Sequence, residues 1–270
     1  MLVSHSHLDH ISADVVRALG SDVDWVVPRG MRPWFQSFGV ADERVHDLDW
    51  WERVNLEVMV PGEGGGKRSL EITSTAAMHW SARTPLDTNQ SLWCSYVVKG
   101  IQDSYFHWYI RFFSPPANSS LYLCSGDTGF SAGLFNAIGR LFGPITLATL
   151  PIGAYFPRWR TCLLVFPSLC FANAKVHLLR PRSRAHEPRG RRQGAPPSLR
   201  CCPRLLILLK ILQAHRAIGA KFSVGVHHST WCLSDEHYLA PPADLAIARE
   251  QVGLTEKDFC VVPQGRTLVL

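Results

Sequence analysis

The sequence predicts an α/β domain in which strands and helices form layers and a polar site lies at the strand ends. Short apolar stretches typical of strands alternate with stretches of helical spacing, and several strands end in clusters of histidine, aspartate and glycine. In layered domains of this kind, the ends of the strands carry the functional loops. The chain of 270 residues can bury a sizeable core, and 46% hydrophobic against 19% charged residues argues against wholesale disorder.

Apolar periodicity and turn residues predict the elements in chain order. In the segment "GLFNAIGRLFG", for example, Leu134, Ile138, Leu141 and Phe142 recur at helical spacing. The predicted elements are a helix over 12–19 with Ser12 as its N-cap, a strand over 24–28, a short helix over 32–40 stopped by Gly39, strands over 54–60, 69–75, 91–99 and 120–129, a helix over 133–143, a strand over 145–155, a strand and loop over 221–230, a helix over 241–253, and closing strands over 258–270.

Two segments break this alternation. Residues 101–120 are unusually aromatic, whereas residues 160–212 hold nine Arg, two Lys and a single acid, a local charge of +10 in a chain whose net charge is +6. We expect one domain over 1–270 with atypical insertions at about 101–119 and 160–212. A structureless loop of that length is uncommon inside a compact domain, so we expect most of 176–204 to be disordered.

The basic segment has two interpretations. Its arginines beside "CCPRLLILLKIL" could bind anionic lipid, with Cys201 and Cys202 as palmitoylation sites. Its abrupt change of composition favours an unselected insert instead. Nucleic-acid binding is not expected, because no aromatic residues are interleaved with the arginines and no known module accompanies them.

Cysteine usage and apolar runs indicate the compartment. The eight cysteines form no C-x-x-C pair and no regular framework, which favours reduced thiols in an intracellular protein. The N-terminus shows no signal peptide, and no apolar run reaches the roughly 18 to 20 residues of a membrane span. We therefore expect an intracellular protein that is soluble or peripheral to membranes.

The segment "SHSHLDH" at residues 4–10 carries the strongest chemical signal. His5 and His7 project to the same side of an extended segment, while Asp9 and His10 in the following turn face a second point a few ångströms away. Nitrogen and oxygen ligands of this kind suit zinc or a similar divalent ion. Because four such residues crowd around one loop, the pattern favours a two-metal site that later segments complete.

Three later positions could complete this site, since each follows a strand and precedes a turn. They are His79, Asp127 in "GDTG", and one of the adjacent pair His227 and His228. Each also has a purely structural interpretation: His79 as a hydrogen-bonded residue at the end of a strand, and Asp127 as a turn residue.

These motifs also carry a resemblance to a known family. "HSHLDH" resembles the H-x-H-x-D-H signature of the metallo-β-lactamase fold. The further stretches "DLDWWE", "MHWSARTPLDTNQSLWCSYVV", "GDTGF", "FGPITLATLPIGAYFPRW" and "DEHYLAPP" are similar to the N-acyl-phosphatidylethanolamine-hydrolysing phospholipases D. The resemblance covers residues 1 to about 100, 120–159 and 213–270. It implies an αββα sandwich, two Zn²⁺ ions, and hydrolysis of N-acyl-phosphatidylethanolamine to N-acylethanolamine and phosphatidic acid at a membrane surface. A homodimer is the candidate assembly.

The resemblance implies a role for each ligand. His5, His7 and His79 hold the first zinc. Asp9, His10 and His227 hold the second, and Asp127 bridges both; His227 is preferred over His228 because the family pattern is apolar-His-x-x-Thr. Asp9 and Asp127 are also the candidate catalytic residues: a hydroxide formed between the ions attacks phosphorus, and Asp9 is placed to orient it.

The chain departs from the family pattern before the histidine motif, where only three residues precede Ser4. We therefore expect an N-terminally truncated form with an incomplete sheet, in addition to the two atypical segments. Two other functions stay open: a catalytically silent variant that acts at most as a binding or regulatory protein, and another hydrolase of the same fold, such as a lactonase. Metal ligands alone do not choose between ester, amide and phosphodiester bonds.

Overall fold

Seven strands form the central sheet of the computed structural model, which describes residues 1–59, 66–100, 107–108, 110–113, 120–154, 203–266 and 268–269. A two-stranded sheet packs against one face of it, and helices cover the outer face of each sheet. The layers therefore follow one another as helix, sheet, sheet, helix. This mixed α/β architecture confirms the predicted fold class.

The described residues contain five helices and twelve strands. The helices are α1 Ala13–Leu19, α2 Arg32–Gln36, α3 Ala132–Phe142, α4 Pro203–Ala217 and α5 Ala240–Val252, with a 3₁₀ turn at Asp42–Arg44. The strands are β1 Trp25–Pro28, β2 Val45–Leu48, β3 Arg53–Met59, β4 Lys67–Thr75, β5 Ser95–Gly100, β6 His107–Trp108, β7 Ile110–Phe113, β8 Ser120–Cys124, β9 Leu147–Pro151, β10 Phe222–Val226, β11 Phe259–Val261 and β12 Leu268–Val269.

The central sheet is mixed, and its strand directions decide where the loops meet. Its order is β11-β10-β9-β8-β5-β4-β3; the first four strands run parallel, and each later neighbour is antiparallel. Two reversals between β8 and β4 return β4 to the direction of β8. Strands β4, β8, β9 and β10 consequently all end at the same edge of the sheet, and the loops that follow them gather there.

The two-stranded sheet carries the first residues of the chain. β1 and β2 pair in parallel, and Leu2 forms a parallel bridge to Val26 of β1. Because side chains alternate along a strand, Trp25 and Val27 pack with the residues of α1 and α2, whereas Val26 faces the central sheet. Helix α1 begins where predicted, since the Ser12 hydroxyl accepts a hydrogen bond from Val15 N.

Helices α3, α4 and α5 form the other outer layer. On α3, Phe135 and Ile138 are buried in the core, but Leu141 is 65% exposed, so the predicted apolar face is narrower than its spacing indicates. At the end of α5, Gly253 adopts a φ of +70° and its N–H bonds back to the last turn, the usual glycine stop of a helix.

Four elements do not appear among the predicted ones, namely β2, β6, β7 and α4. Residues 203–212 were assigned to an atypical insertion, but they belong to α4, and Leu205, Leu208, Ile211 and Leu212 of this helix are buried in the core. The other predicted helices and strands are present within a few residues of their predicted bounds.

The expected insertions fall mostly on residues that the structure does not describe. Within 101–119 only β6 and β7 are described; they pair with each other, and β7 pairs with β12. The expected disorder up to residue 202, and Cys201 and Cys202, lie outside the described residues. None of the described helices has the length and apolar character needed to cross a membrane.

Candidate metal centre

The seven predicted ligands come from four loops that meet at one edge of the central sheet. The histidine loop, residues 4–12, follows the short extended segment beside β1. The segments bearing His79, Asp127 and His227 follow β4, β8 and β10, which end at the same edge. Side chains separated by more than two hundred residues in sequence are thereby brought into contact.

His5, His7 and His79 form the first group of potential ligands. His5 Nε2 and His7 Nδ1 lie 2.9 Å apart, and His79 Nε2 lies 3.2 Å from the same His7 nitrogen. Nitrogens bound at about 2.0–2.1 Å to a tetrahedral zinc lie roughly 3.3 Å from one another. The spacing of these three ring nitrogens therefore fits one zinc-sized ion.

Asp9, His10, Asp127 and His227 form the second group. His227 Nε2 lies 3.3 Å from Asp9 Oδ2 and 3.2 Å from Asp127 Oδ2, while His10 Nε2 lies 3.3 Å and 3.4 Å from the same two carboxylates. Asp127 Oδ2 is also 3.7 Å from His79 Nε2 of the first group. Asp127 thus lies between the two groups, the place the resemblance implies for a bridging carboxylate.

Burial keeps the first group uncharged. It lowers the pKa of His7 and of His79 to about 4, and it holds the pKa of His5, which is 1% exposed, well below its usual value. Neutral imidazoles at physiological pH keep the nitrogen lone pair that metal coordination requires.

The second group is charged instead. Burial would lower the pKa of His10 and of His227, but the carboxylates of Asp127 and Asp9 outweigh it and raise these pKa values to about 9 and about 10. Burial would likewise raise the pKa of both aspartates, and these histidines hold it well below its usual range. The negative charges of the two carboxylates balance the positive charges of the two protonated imidazoles. A divalent cation can therefore take the place of the two protons that give these imidazoles their charge.

The residues around the ligands fix the orientation of the rings. Ser4 Oγ lies 3.0 Å from His5 Nδ1, and when that nitrogen donates its hydrogen to the hydroxyl, Nε2 is left with its lone pair toward His7. The indole of Trp80 packs against the His7 ring at 4.3 Å between centroids. Neither contact is predictable from the ligand pattern, because neither Ser4 nor Trp80 belongs to it.

Gly126 allows the loop of Asp127 to approach the histidine loop. Its φ is +57°, and a Cβ at this position would lie 2.5 Å from Ser4 Cβ. A second link joins the same loop to the segment of His79, since Met78 N donates to Thr128 Oγ1 and Gly129 N donates to the Met78 carbonyl. The glycines and threonine of "GDTG" are therefore part of the site's scaffold.

The structure places His227, and not its neighbour, in the ligand cluster. His227 adopts a left-handed φ of +60° directly after β10 and points Nε2 at both aspartates. His228 lies outside both groups, with its Nδ1 2.8 Å from the hydroxyl of Ser229. Gly153 packs against the His227 carbonyl oxygen, where a side chain would collide. All seven residues predicted from the sequence therefore lie in one cluster.

Comparison with known proteins links this cluster to a family. A family model described as the β-lactamase superfamily domain matches residues 1–110. The matched segment includes the histidine loop and His79, hence the whole first group and part of the second. The fold and the histidine motif thus agree with this match to the superfamily domain.

Two relatives resemble nearly the whole chain. A Saccharomyces cerevisiae protein named N-acyl-phosphatidylethanolamine-hydrolyzing phospholipase D, mitochondrial, is 30% identical over 99% of this chain and 44% of its own length. A Caenorhabditis elegans protein named N-acyl-phosphatidylethanolamine-hydrolyzing phospholipase D 1 is 27% identical over 98% of this chain and 58% of its own length. The chain thus spans roughly half the length of these relatives. The similarity confirms the resemblance that the motifs indicated.

A solved structure with 16% sequence identity supports the fold alone. It is described as Igni18, a novel metallo hydrolase from the archaeon Ignicoccus hospitalis KIN4/I. The superposition gives a TM-score of 0.50 and covers 98% of this chain and 76% of that one. The layered architecture is therefore shared by a protein of very different sequence.

Proposed function

We propose that this chain, which has the fold of the β-lactamase superfamily and resembles the N-acyl-phosphatidylethanolamine-hydrolysing phospholipases D, is a metal-dependent phosphodiesterase. Its substrate would be N-acyl-phosphatidylethanolamine, and its products N-acylethanolamine and phosphatidic acid. One observation carries the proposal: two groups of nitrogen and oxygen ligands meet at Asp127. The names of the relatives supply the substrate class.

Each of the two groups of ligands would bind one metal ion. His5, His7 and His79 would hold one zinc ion, and Asp9, His10 and His227 the other, with Asp127 shared. When bound, such a pair of ions supplies hydroxide near neutral pH and neutralises charge on phosphoryl oxygens. In this proposal the carboxylates of Asp9 and Asp127 would accept a hydrogen bond from the attacking water and orient it toward phosphorus.

Exposed apolar side chains in the ligand-bearing loops support a lipid substrate. Of the thirteen exposed large apolar residues that the described residues contain, six lie in or directly beside these loops. We call them the apolar rim: Leu8, Met78, Leu86, Trp231, Tyr238 and Leu239. Exposed apolar groups beside the candidate site suit a lipid substrate, because they can enter the surface of a membrane. We propose that the chain works peripherally at a membrane surface, with the rim toward the lipid.

The direct test combines metal content with hydrolysis. Purified chain should contain about two zinc ions per molecule and release N-acylethanolamine from vesicles that contain N-acyl-phosphatidylethanolamine. His7→Ala removes the ring nitrogen that lies close to those of both His5 and His79. This variant should therefore lose the metal of the first group, and its activity should be lost as well. A folded chain that binds zinc but cleaves only lactones or other esters in a substrate panel would replace the proposal with another hydrolase of this fold. A zinc-free, inactive chain would instead indicate the catalytically silent variant.

A further inference from the structure

Arg83 makes an unusual set of contacts beside the metal centre. Its Nη1 donates to two backbone carbonyl oxygens, those of Ser6 and Ile11, at 3.0 Å each. Its guanidinium carbon lies 4.3 Å above the ring of Trp34 on α2. The nearby carboxylate of Asp87 acts on Arg83 through its charge, while the direct contacts of this half-buried guanidinium are with carbonyl groups and an aromatic face.

The two carbonyls are at opposite ends of the segment that carries most of the histidine loop's ligands. His7, Asp9 and His10 all lie between Ser6 and Ile11. Within that segment, backbone support comes from the His7 carbonyl, which accepts from His10 N and Ile11 N. One guanidinium nitrogen therefore closes the turn from outside and fixes the distance between its ends.

Arg83 also connects two ligand-bearing loops. It is four residues beyond His79, and the turn that holds it is fixed by Asp87, whose carboxylate accepts from the backbone N–H of Arg83 and of Thr84. The contact with Trp34 extends this link to the outer helical layer. A displacement of the histidine loop relative to His79 would break the bonds to both carbonyls.

We propose that Arg83 is a positioning residue that holds the histidine loop at the metal-binding geometry without touching metal or substrate. The inference rests on the proposed function in one respect, since it takes the seven-residue cluster to be a metal centre. Ligand atoms must match a metal within a few tenths of an ångström, and outer contacts that orient ligands typically change affinity by about 10–100-fold when removed. Arg83 provides such an outer contact, because its Nη1 donates to the carbonyls at both ends of the segment that carries three of the ligands.

The test compares Arg83→Met with Arg17→Met, a matched control. Arg17 also lies over an aromatic ring, Phe38, at 4.9 Å, but it makes no contact with the histidine loop. Zinc affinity is measured by competition with a chelator, and the visible bands of the Co²⁺-loaded proteins report coordination geometry. We expect Arg83→Met to weaken zinc binding by about 10–100-fold and to alter the cobalt spectrum, and Arg17→Met to change neither.

The conservative variant Arg83→Lys keeps the charge but lacks the planar group that stacks on Trp34. We expect its zinc affinity to lie between those of the wild type and Arg83→Met. If the methionine variant fails to fold, the lysine variant decides, and wild-type affinity and spectrum in it would overturn the inference. Equal behaviour of Arg83→Met and Arg17→Met would do the same.

Failure of the proposed function gives a different pattern. Wild-type chain that binds two ions but hydrolyses no phosphodiester would refute the proposed reaction, while the affinities of the arginine variants still decide the role of Arg83. Wild-type chain that binds no metal would refute both.

Discussion

His227 and His228 show how much depends on a single position after a strand. Both are adjacent histidines with the same chemistry, yet the left-handed backbone at His227 directs only one ring at Asp9 and Asp127. His227→Ala should reduce bound zinc from two ions toward one. Because a metal contributes several kcal/mol of transition-state stabilisation, hydrolysis should fall by more than about 100-fold.

His228→Ala is the matched control for this prediction. Its ring bonds to Ser229 and lies outside both ligand groups, so metal content should stay at the wild-type value and activity within about twofold. Metal analysis and initial rates on the two variants check the assignment. A larger loss in His228→Ala than in His227→Ala would contradict it.

Another histidine, His215 on α4, makes stability depend on pH. It is 5% exposed, its Nδ1 lies 2.8 Å from Ser223 Oγ, and burial lowers its pKa below the ordinary value of 6.5. Asp258 opposes this shift and Arg216 adds to it. Since the folded state favours the neutral ring, the stabilisation is fully present above pH 6.5 and is lost as the pH falls below it.

The non-titrating variant His215→Gln isolates this contribution. Between pH 7.5 and pH 5.5, the free energy of unfolding in urea should fall more for the wild type than for His215→Gln. The histidines of the metal centre are present in both proteins, so their effect cancels in the comparison. The same fall in both proteins would show that His215 does not titrate on unfolding in this range.

At the scale of single residues, the sequence was most informative where ligands are close together. The spacing of His5, His7, Asp9 and His10 predicts two ligand directions, and the structure has that arrangement. Spacing could not choose between His227 and His228, since the choice depends on backbone φ. Spacing also gave no indication of the roles of Arg83 and Ser4. Arg83 contacts backbone atoms that are distant in sequence, and Ser4 contacts a ligand ring but lies just outside the ligand motif.

Among the elements, α4 shows why an apolar run can hide a helix. The run "LLILLKIL" is apolar on nearly all sides, so it lacks the periodicity that marks an amphipathic helix. The arginine-rich and proline-rich sequence before this run also favoured an insertion over a helix. Tertiary packing decides the matter, because one face of α4 packs on α3, α5 and the central sheet.

Two leucines on opposite faces of α4 test this assignment. Leu208 is 2% exposed in the core, whereas Leu206 is 50% exposed. Leu208→Ala should lower the free energy of unfolding by about 2–5 kcal/mol, as buried leucines usually do. Leu206→Ala should change it by less than about 0.5 kcal/mol. Urea denaturation of both variants is the measurement, and equal effects would mean that α4 does not pack as described.

For the molecule as a whole, the fold class was predictable but the meeting of the four loops was not. Alternating strands and helices suffice for a layered α/β domain. The convergence of His79, Asp127 and His227 requires β4, β8 and β10 to end at one edge, which follows from two antiparallel pairings between β8 and β4. Strand order is a property of long-range pairing that local sequence patterns do not contain; here the resemblance to a family supplied it.

The apolar rim is a property of the same edge, because the loops that bring ligands together also bring their exposed apolar residues. Replacing Trp231 and Tyr238 by serine should reduce hydrolysis of N-acyl-phosphatidylethanolamine in vesicles, since less apolar area can enter the lipid surface at about 25 cal/mol per Å². Two aromatic side chains should account for a loss of at least tenfold. Cleavage of a soluble phosphodiester, bis(4-nitrophenyl) phosphate, should stay within about twofold, because neither residue is a ligand.

Leu141→Gln provides the control, because Leu141 is equally exposed at 65% but lies on α3, away from the ligand-bearing loops. It should leave both activities unchanged. If the serine variant lost both activities in parallel, the residues would be needed for the metal centre itself. If it lost neither, the rim would have no part in lipid engagement, and the membrane-surface proposal would have to rest on another face of the molecule.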